Sequence, residues 1–239
     1  MISAVVPVFN EEPVLRNSFL SLSSFLESRF GSDFEIVAVD DGSRDRSLEI
    51  LNELAPSMPL EIRENTINLG KGSSVRRGML EARGEYVFFT DADLSTPLEE
   101  LDRFLPRLED GADVVIGTRK HAEAVIRAAQ SGLRTFMGRG YTHVVNSVLG
   151  TGFSDYTCGF KAFQREAAQA IFTRSVVDGW SFDAEILFLA HRLGLRVDEV
   201  PVTWEDRPNS KVRLVRDTSR SFAELLAIRV RAARGRYGL

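Results

Sequence analysis

Two carboxylates, Asp91 and Asp93, stand one residue apart, directly after the apolar run of residues 86–89. Each raises the cost of ionising the other, so a buried strand that ends this way needs a neutraliser. An acid between a strand and a helix ordinarily serves as a cap. Here Thr96-Pro97-Leu98-Glu99 reads as a capping box, with Thr96 as N-cap, Pro97 at the first helical position and Glu99 at the third. The two aspartates are therefore spare for chemistry. Mg2+ or Mn2+ takes oxygen ligands, and Mg2+ commonly combines one or two protein carboxylates with substrate phosphates. The pair reads as a place for such a cation.

The elements that must hold these acids alternate along the chain. Residues 2–8, 35–39, 85–90 and 112–117 are mainly apolar runs of strand length, and residues 60–64 read as a short third strand. Leu15, Phe19, Leu22, Leu26 and Phe30 recur at helical spacing between the first two. Ser43 reads as N-cap of a helix through residue 54. A glycine-rich turn at 68–72 leads into a helix to residue 82, and 97–108 reads as a helix. Such alternation predicts an α/β fold, with a mostly parallel central sheet flanked by helices. Ligands of such sheets bind beyond the carboxyl ends of the strands. Three of those ends carry acids: Glu11, the pair Asp40 and Asp41, and the pair Asp91 and Asp93.

Past residue 120 the pattern loosens. Residues 121–150 read as helical with glycine interruptions, 158–163 as a strand, 181–193 as a helix, 200–204 as a short strand and 216–234 as a last helix. No linker or composition break divides the chain. Residues 1–215 are expected to form one catalytic domain, and residues 216–239 a basic amphipathic helix that joins it or meets a membrane surface.

The composition narrows the field. At 239 residues and 44% hydrophobic the chain can bury a sizeable core. No run of about 18 apolar residues offers a membrane-spanning helix. The start, MISAVVPVFNEE, has neither the basic region nor the cleavage site of a signal peptide. A single cysteine, Cys158, permits no internal disulfide and fits a reducing cytoplasm. Cys158 has no neighbouring histidine and reads as a small packed residue. His121, His143 and His191 share no metal-ligand spacing. From Arg207 onward nine bases face two acids, a tail of +7 in a chain of −4, which leaves −11 for the rest. Such a tail is suited to an anionic partner; Phe222, Leu225, Leu226 and Val230 share one helical face within it, as in an interfacial helix. Residues 65–72 fail the phosphate-loop pattern, because Asn65 and Gly72 stand where Gly and Ser or Thr are required. No dinucleotide fingerprint follows the first strand.

Five motifs in order carry a resemblance: Pro7-Val-Phe-Asn-Glu11, Val39-Asp-Asp-Gly-Ser43, Asn68-Leu-Gly-Lys-Gly72, Asp91-Ala-Asp93 and Gly117-Thr-Arg119. Together they resemble the family 2 glycosyltransferases, which have the GT-A nucleotide-diphospho-sugar transferase fold. Asp155-Tyr-Thr-Cys-Gly-Phe160, Gly179-Trp-Ser-Phe-Asp183 and Arg207-Pro-Asn-Ser-Lys211 resemble a narrower branch, the dolichyl- and polyprenyl-phosphate sugar synthases, especially the dolichyl-phosphate glucosyltransferase-like members.

The resemblance implies roles. Pro7, Phe9, Asn10, Glu11, Asp40 and Asp41 would meet the nucleotide base and ribose. Asp91 and Asp93, with Ala92 between them, would hold Mg2+ or Mn2+ and through it the donor diphosphate. Gly70 and Lys71 would lie near the donor, and Arg207 and Lys211 would clamp its phosphates. Arg119 and Arg134, with Arg139 as a third candidate, would position an acceptor phosphate. Some relatives carry glutamine where this chain has Ser95, which leaves the third protein ligand open. Asp183 and Glu185 begin a helix, where the dipole favours acids in any case, so a structural and a functional role both stay open. The implied reaction is metal-dependent, inverting hexose transfer to polyprenyl or dolichyl phosphate, with UDP-glucose as the favoured donor. GDP-mannose as donor, a soluble acceptor, and a non-catalytic nucleotide-sugar-binding partner of a membrane enzyme are the alternatives. The expected location is peripheral, at the cytoplasmic face of a membrane. No nucleic-acid partner is expected, and self-association is left open.

Overall fold

Seven strands form one sheet in the computed structural model, which describes residues 1–126, 132–205 and 214–239, the side chains of 132–137, 139 and 214–220 apart. β1 (Ile2–Val8) lies between β2 (Phe34–Asp40) and β4 (Tyr86–Phe89), with β3 (Leu60–Glu64) outside β2. These four are parallel. β7 (Lys161–Gln164) follows β4, then β5 (Val114–Thr118) and β8 (Val197–Pro201). β7 runs antiparallel to both β4 and β5, and β8 is parallel to β5. A two-residue pair, β6 (Val125–Ile126) with β9 (Thr203–Trp204), stands apart.

The strands are apolar on both faces because both are covered. β1 sends Val5 into one layer and Ile2, Ala4, Val6 and Val8 into the other. α1 (Glu12–Phe30), α2 (Ser47–Leu54) and α4 (Leu101–Glu109) cover the second layer. α3 (Lys71–Glu81), α5 (Gly132–Leu149), α6 (Arg165–Phe172), α7 (Phe182–Arg192) and α8 (Leu214–Ala233) cover the first.

Several boundaries differ from the sequence reading. Ser43 does not cap α2, which starts at Ser47 with Arg46 as its N-cap residue. The Ser43 hydroxyl instead accepts the Asn10 N–H at 3.0 Å, tying two strand ends together. The capping box at Thr96 does not form. Pro97 precedes a 3-10 turn, Leu98–Glu100, without a side-chain cap, and α4 begins only at Leu101. The expected strand over 200–204 breaks at Val202, so that β8 joins the main sheet and β9 pairs with β6. The expected helix over 121–150 is β6 followed by α5.

The last helix does not present one apolar face. Leu225 and Ile228 are buried in the core, whereas Phe222, Leu226 and Val230 are exposed. The sequence pattern merged the two stripes. No helix among the described residues is long and apolar enough to cross a membrane.

Candidate active site

The sheet's strand order decides what meets at its carboxyl edge. β1, β2, β4 and β5 all end there, so residues 9–11, 40–41, 91–93 and 119 open on the same side. β7 is reversed, so it begins there. Lys161 pairs with Phe89 on one side and Ile116 on the other, which brings the preceding turn, residues 158–160, against the end of β4. Asn10 (φ 54°) and Leu94 (φ 50°), the two described non-glycine residues with positive φ, both lie at this edge, in a conformation that costs about 1–3 kcal/mol each.

Asp91 packs on Gly159. A Cβ at that glycine would collide with the Asp91 carboxylate, so the close approach requires glycine. Asp91 Oδ1 also accepts from Lys71 Nζ at 2.5 Å. Asp93 is set by its own turn, accepting the Ser95 N–H at 3.0 Å and the Ser95 hydroxyl at 2.7 Å. Ser95 thus orients Asp93.

Asp40 and Asp41 divide their work. Asp41 is a loop anchor: it accepts from Asn65 Nδ2 at 2.9 Å, the Leu69 N–H at 3.0 Å and the Gly70 N–H at 2.8 Å. This fixes the glycine-rich turn. Gly70 has φ 110°, and the Asp178 carbonyl occupies the place of its missing Cβ. Asp40 Oδ2 accepts the Ser43 N–H, but Asp40 Oδ1 is buried without a protein donor. A buried acceptor left unpaired costs about 1–3 kcal/mol, which marks Oδ1 as a place for a ligand donor. Pro7 pairs with Val39 inside the sheet, and Ala92 is buried. The Asn10 side chain accepts the Arg44 N–H at 2.7 Å, and the Glu11 N–H donates to Ser47 Oγ at 2.8 Å. Phe9 lies in the turn between β1 and α1.

Arg119 reaches the edge already paired. Its guanidinium donates to both oxygens of Asp155, at 2.8 and 3.0 Å, and to Thr157 Oγ1 at 2.8 Å. It also lies 5.5 Å from the Trp204 ring centroid. Burial alone would raise the Asp155 carboxyl; the charge and hydrogen bonds of Arg119 outweigh it and hold the group well below the usual range. Lys120, which sequence reasoning missed, adds a charge 3.7 Å from Asp155 and donates to the Gly138 carbonyl of α5 at 3.0 Å. Arg119 is a brace rather than a solvated cation. Arg134 and Arg139 lie on α5, with side chains outside the described residues; Arg207 and Lys211 lie outside them altogether.

Lys161 is the larger omission. Its side chain is fully buried and donates to the Tyr156 and Cys158 carbonyls at 2.9 and 2.6 Å and to Asp183 Oδ1 at 2.5 Å. Burial pushes the Asp183 carboxyl up, against the pull of Lys161 and Lys71. The order Asp91, Lys71, Asp183, Lys161 therefore alternates in sign, since Lys71 feels Asp91 first and Asp183 next. A lysine opening a short strand gave no signal in the sequence. Glu185 takes the structural option: Oε2 accepts the Val176 and Val177 N–H groups at 2.9 and 2.8 Å, and Oε1 accepts from the Tyr237 hydroxyl at 2.7 Å. Cys158 is fully buried with its thiol pushed up by burial, as a packed residue should be.

Residues 3–172 match the model of Glycosyl transferase family 2. The chain belongs to this family. Among its relatives in the family, a dolichyl-phosphate beta-glucosyltransferase of Trichomonas vaginalis is 34% identical over 88% of this chain and 65% of its own length. The dolichyl-phosphate beta-glucosyltransferase of Saccharomyces cerevisiae is 32% identical over 99% of this chain and 76% of its own. The fold is that of glucosyl-3-phosphoglycerate synthase from Mycobacterium tuberculosis, solved with Mn2+ and UDP-glucose, at TM-score 0.70 and 20% identity over 96% of this chain and 78% of that one.

The acids fit a divalent cation. Carboxylates are the hard oxygen donors that Mg2+ and Mn2+ prefer. Gly159 adds no side chain where the Asp91 carboxylate lies, so that carboxylate keeps its place. Among the described residues no group of three or more acids, histidines or cysteines could hold a metal.

Proposed function

We propose that this family 2 glycosyltransferase transfers glucose, with inversion, from UDP-glucose to dolichyl or polyprenyl phosphate. The observation that carries the acceptor class is the state of Asp183. A sugar hydroxyl needs a general base to take its proton. Asp183 is the acid next in line to Asp91, and its Oδ1 is clasped by buried Lys161 at 2.5 Å. A lipid phosphate is already an anion and needs no base. The names of the relatives point the same way.

The donor's nucleoside is the group that would supply Asp40 Oδ1 with its missing donor, from a base N–H or a ribose hydroxyl. Asp91 and Asp93 would hold Mg2+ or Mn2+, which when bound acts as a Lewis acid on the leaving nucleoside diphosphate. Asp41 holds the turn that places Lys71, and Ser95 holds Asp93. Arg207 and Lys211 are assigned to the donor phosphates. Arg134 is assigned to the acceptor phosphate. The acceptor oxygen attacks the anomeric carbon from the face opposite the diphosphate. The anomeric C–O bond breaks with its electron pair on the diphosphate. Catalysis is then mostly positioning and electrostatic preorganisation.

The exposed stripe of Phe222, Leu226 and Val230 on α8, with exposed Arg229, Arg234 and Arg236 beside it, is assigned to the cytoplasmic surface of an anionic membrane. The test begins with calorimetric titration of UDP-glucose, UDP-galactose and GDP-mannose, each with Mn2+ and with EDTA, followed by transfer to polyprenyl phosphate in mixed micelles. Metal-dependent binding of UDP-glucose and transfer to the lipid are expected. Preference for GDP-mannose would replace the donor, and turnover on a soluble acceptor alone would replace the acceptor.

A further inference from the structure

Lys71 holds a position that a metal ligand cannot share. It is the first residue of α3, and its ammonium lies 2.5 Å from Asp91 Oδ1 with a side chain only 20% exposed. The rings of Trp180 and Phe182 stand 5.7 and 5.9 Å from it. Its backbone cannot drift, because Asp41 grips the Gly70 N–H and the Gly72 N–H donates to the Asp178 carbonyl at 2.8 Å.

We propose that Lys71 is the resident counter-ion of Asp91, which the metal and the donor diphosphate must displace together. A cation that coordinates Asp91 Oδ1 has to evict the ammonium. The evicted charge then sits beside two aromatic rings in a poorly solvated position and needs an anion. Asp183 is the near one, and Lys161 already clasps it. The diphosphate supplies the charge that Asp91 withdraws. Metal binding and diphosphate binding therefore favour one another, and by linkage the coupling is the same in both directions. Metal without nucleotide meets a site that is already neutralised. This inference rests on Asp91 and Asp93 being the metal's ligands.

The test measures Mn2+ binding, by electron paramagnetic resonance of the free ion, with and without UDP. The proteins compared are the wild type and the variants Lys71→Met, Lys71→Gln and Lys71→Arg, each checked by thermal melting. The two neutral variants are expected to bind Mn2+ alone roughly tenfold more tightly than the wild type, and the arginine variant to resemble the wild type. UDP should tighten Mn2+ binding in every variant by direct coordination, but about tenfold more in the wild type than in the neutral variants, a coupling of ordinary allosteric size, once the Mn2+ that UDP holds without protein is subtracted. Neutral variants that bind Mn2+ alone no better than the wild type would overturn the proposal. If Asp93→Asn still removes the Mn2+ bound in the presence of UDP, the metal reading stands and only the role of Lys71 falls. If the wild type takes up no Mn2+ even with UDP, both fall.

Discussion

The two ends of the chain build the same edge by opposite means. Up to Asp93, site residues sit in short turns directly after parallel strands, held by bonds within a turn, Asp40 to Ser43 and Asp93 to Ser95, and by one between adjacent turns, Asn10 to Arg44. From Arg119 onward, the edge is made by side chains that meet across the fold: Arg119 with Asp155, Lys161 with Asp183, Glu185 with Tyr237. In the early region Asp40 Oδ1 is left without a protein donor, although Asp41 anchors a loop and Asp91 meets Lys71. The late region spends its charges on one another, in the interior. Loss of a charge in the first should remove activity and spare the fold, whereas loss in the second should remove the fold first.

The sharpest way to break that contrast is Asp93→Asn. Loss of a group that only orients a metal ligand typically costs 10–100-fold, so removing the ligand's own charge should lower turnover by at least about a hundredfold. Asparagine keeps the side-chain oxygen that accepts the Ser95 bonds, so urea unfolding should shift by no more than about 1 kcal/mol. A variant with normal turnover, measured as sugar transfer in saturating Mn2+, would take Asp93 out of the metal site. A variant that fails to fold would erase the distinction between the two regions.

Lys161→Met probes the opposite pole. It leaves Asp183 buried without the ammonium at 2.5 Å and strips the Tyr156 and Cys158 carbonyls of their donor. Breaking a buried pair on one side costs about 3–5 kcal/mol, readable by urea denaturation. The deficit has a defined pH dependence. A carboxyl whose folded value is raised costs stability above its unfolded value, and that cost fades as the pH falls and the group takes up a proton. The loss should therefore shrink on acidification. Replacing both partners, as Lys161→Met with Asp183→Leu, should recover most of it, because an apolar pair carries no desolvation penalty. A single variant as stable as the wild type would show that Lys161 is no brace.

This division also explains what could be read from the sequence. The parallel sheet and the three acidic strand ends were legible because continuous apolar runs and turn residues are local signals, as in residues 2–8 and 91–93. The motifs carried the family, since their order survives without any contact map. Capping was misread at Ser43, whose hydroxyl accepts the Asn10 N–H from another strand end, and at Thr96, where a 3-10 turn without a side-chain cap precedes the helix. The reversal of β7 was invisible, and with it the reason why Gly159 meets Asp91. No spacing rule links residue 161 to residue 183, or 185 to 237. The stripes of α8 merged for a similar reason: periodicity finds apolar positions but not which of them a neighbouring helix covers.

The smallest effect belongs to the last contact in the chain. Tyr237 is buried against Phe188, with ring centroids 6.4 Å apart, and its hydroxyl donates to Glu185 Oε1 at 2.7 Å. Glu185 in turn holds the Val176 and Val177 N–H groups, and the Val177 and Asp178 carbonyls stand where side chains on Gly72 and Gly70 would be. A path of contacts thus runs from the end of the chain to the turn that places Lys71. Tyr237→Phe keeps the ring and removes one hydrogen bond to a carboxylate, worth about 1.5–3 kcal/mol. If the late region serves only as a support, unfolding should shift by that amount while the apparent KM for UDP-glucose stays within about twofold of the wild type, a spread of roughly 0.4 kcal/mol. A larger rise in KM at unchanged stability would mean that the support reaches the donor turn directly, and the two regions would then have to be treated as one.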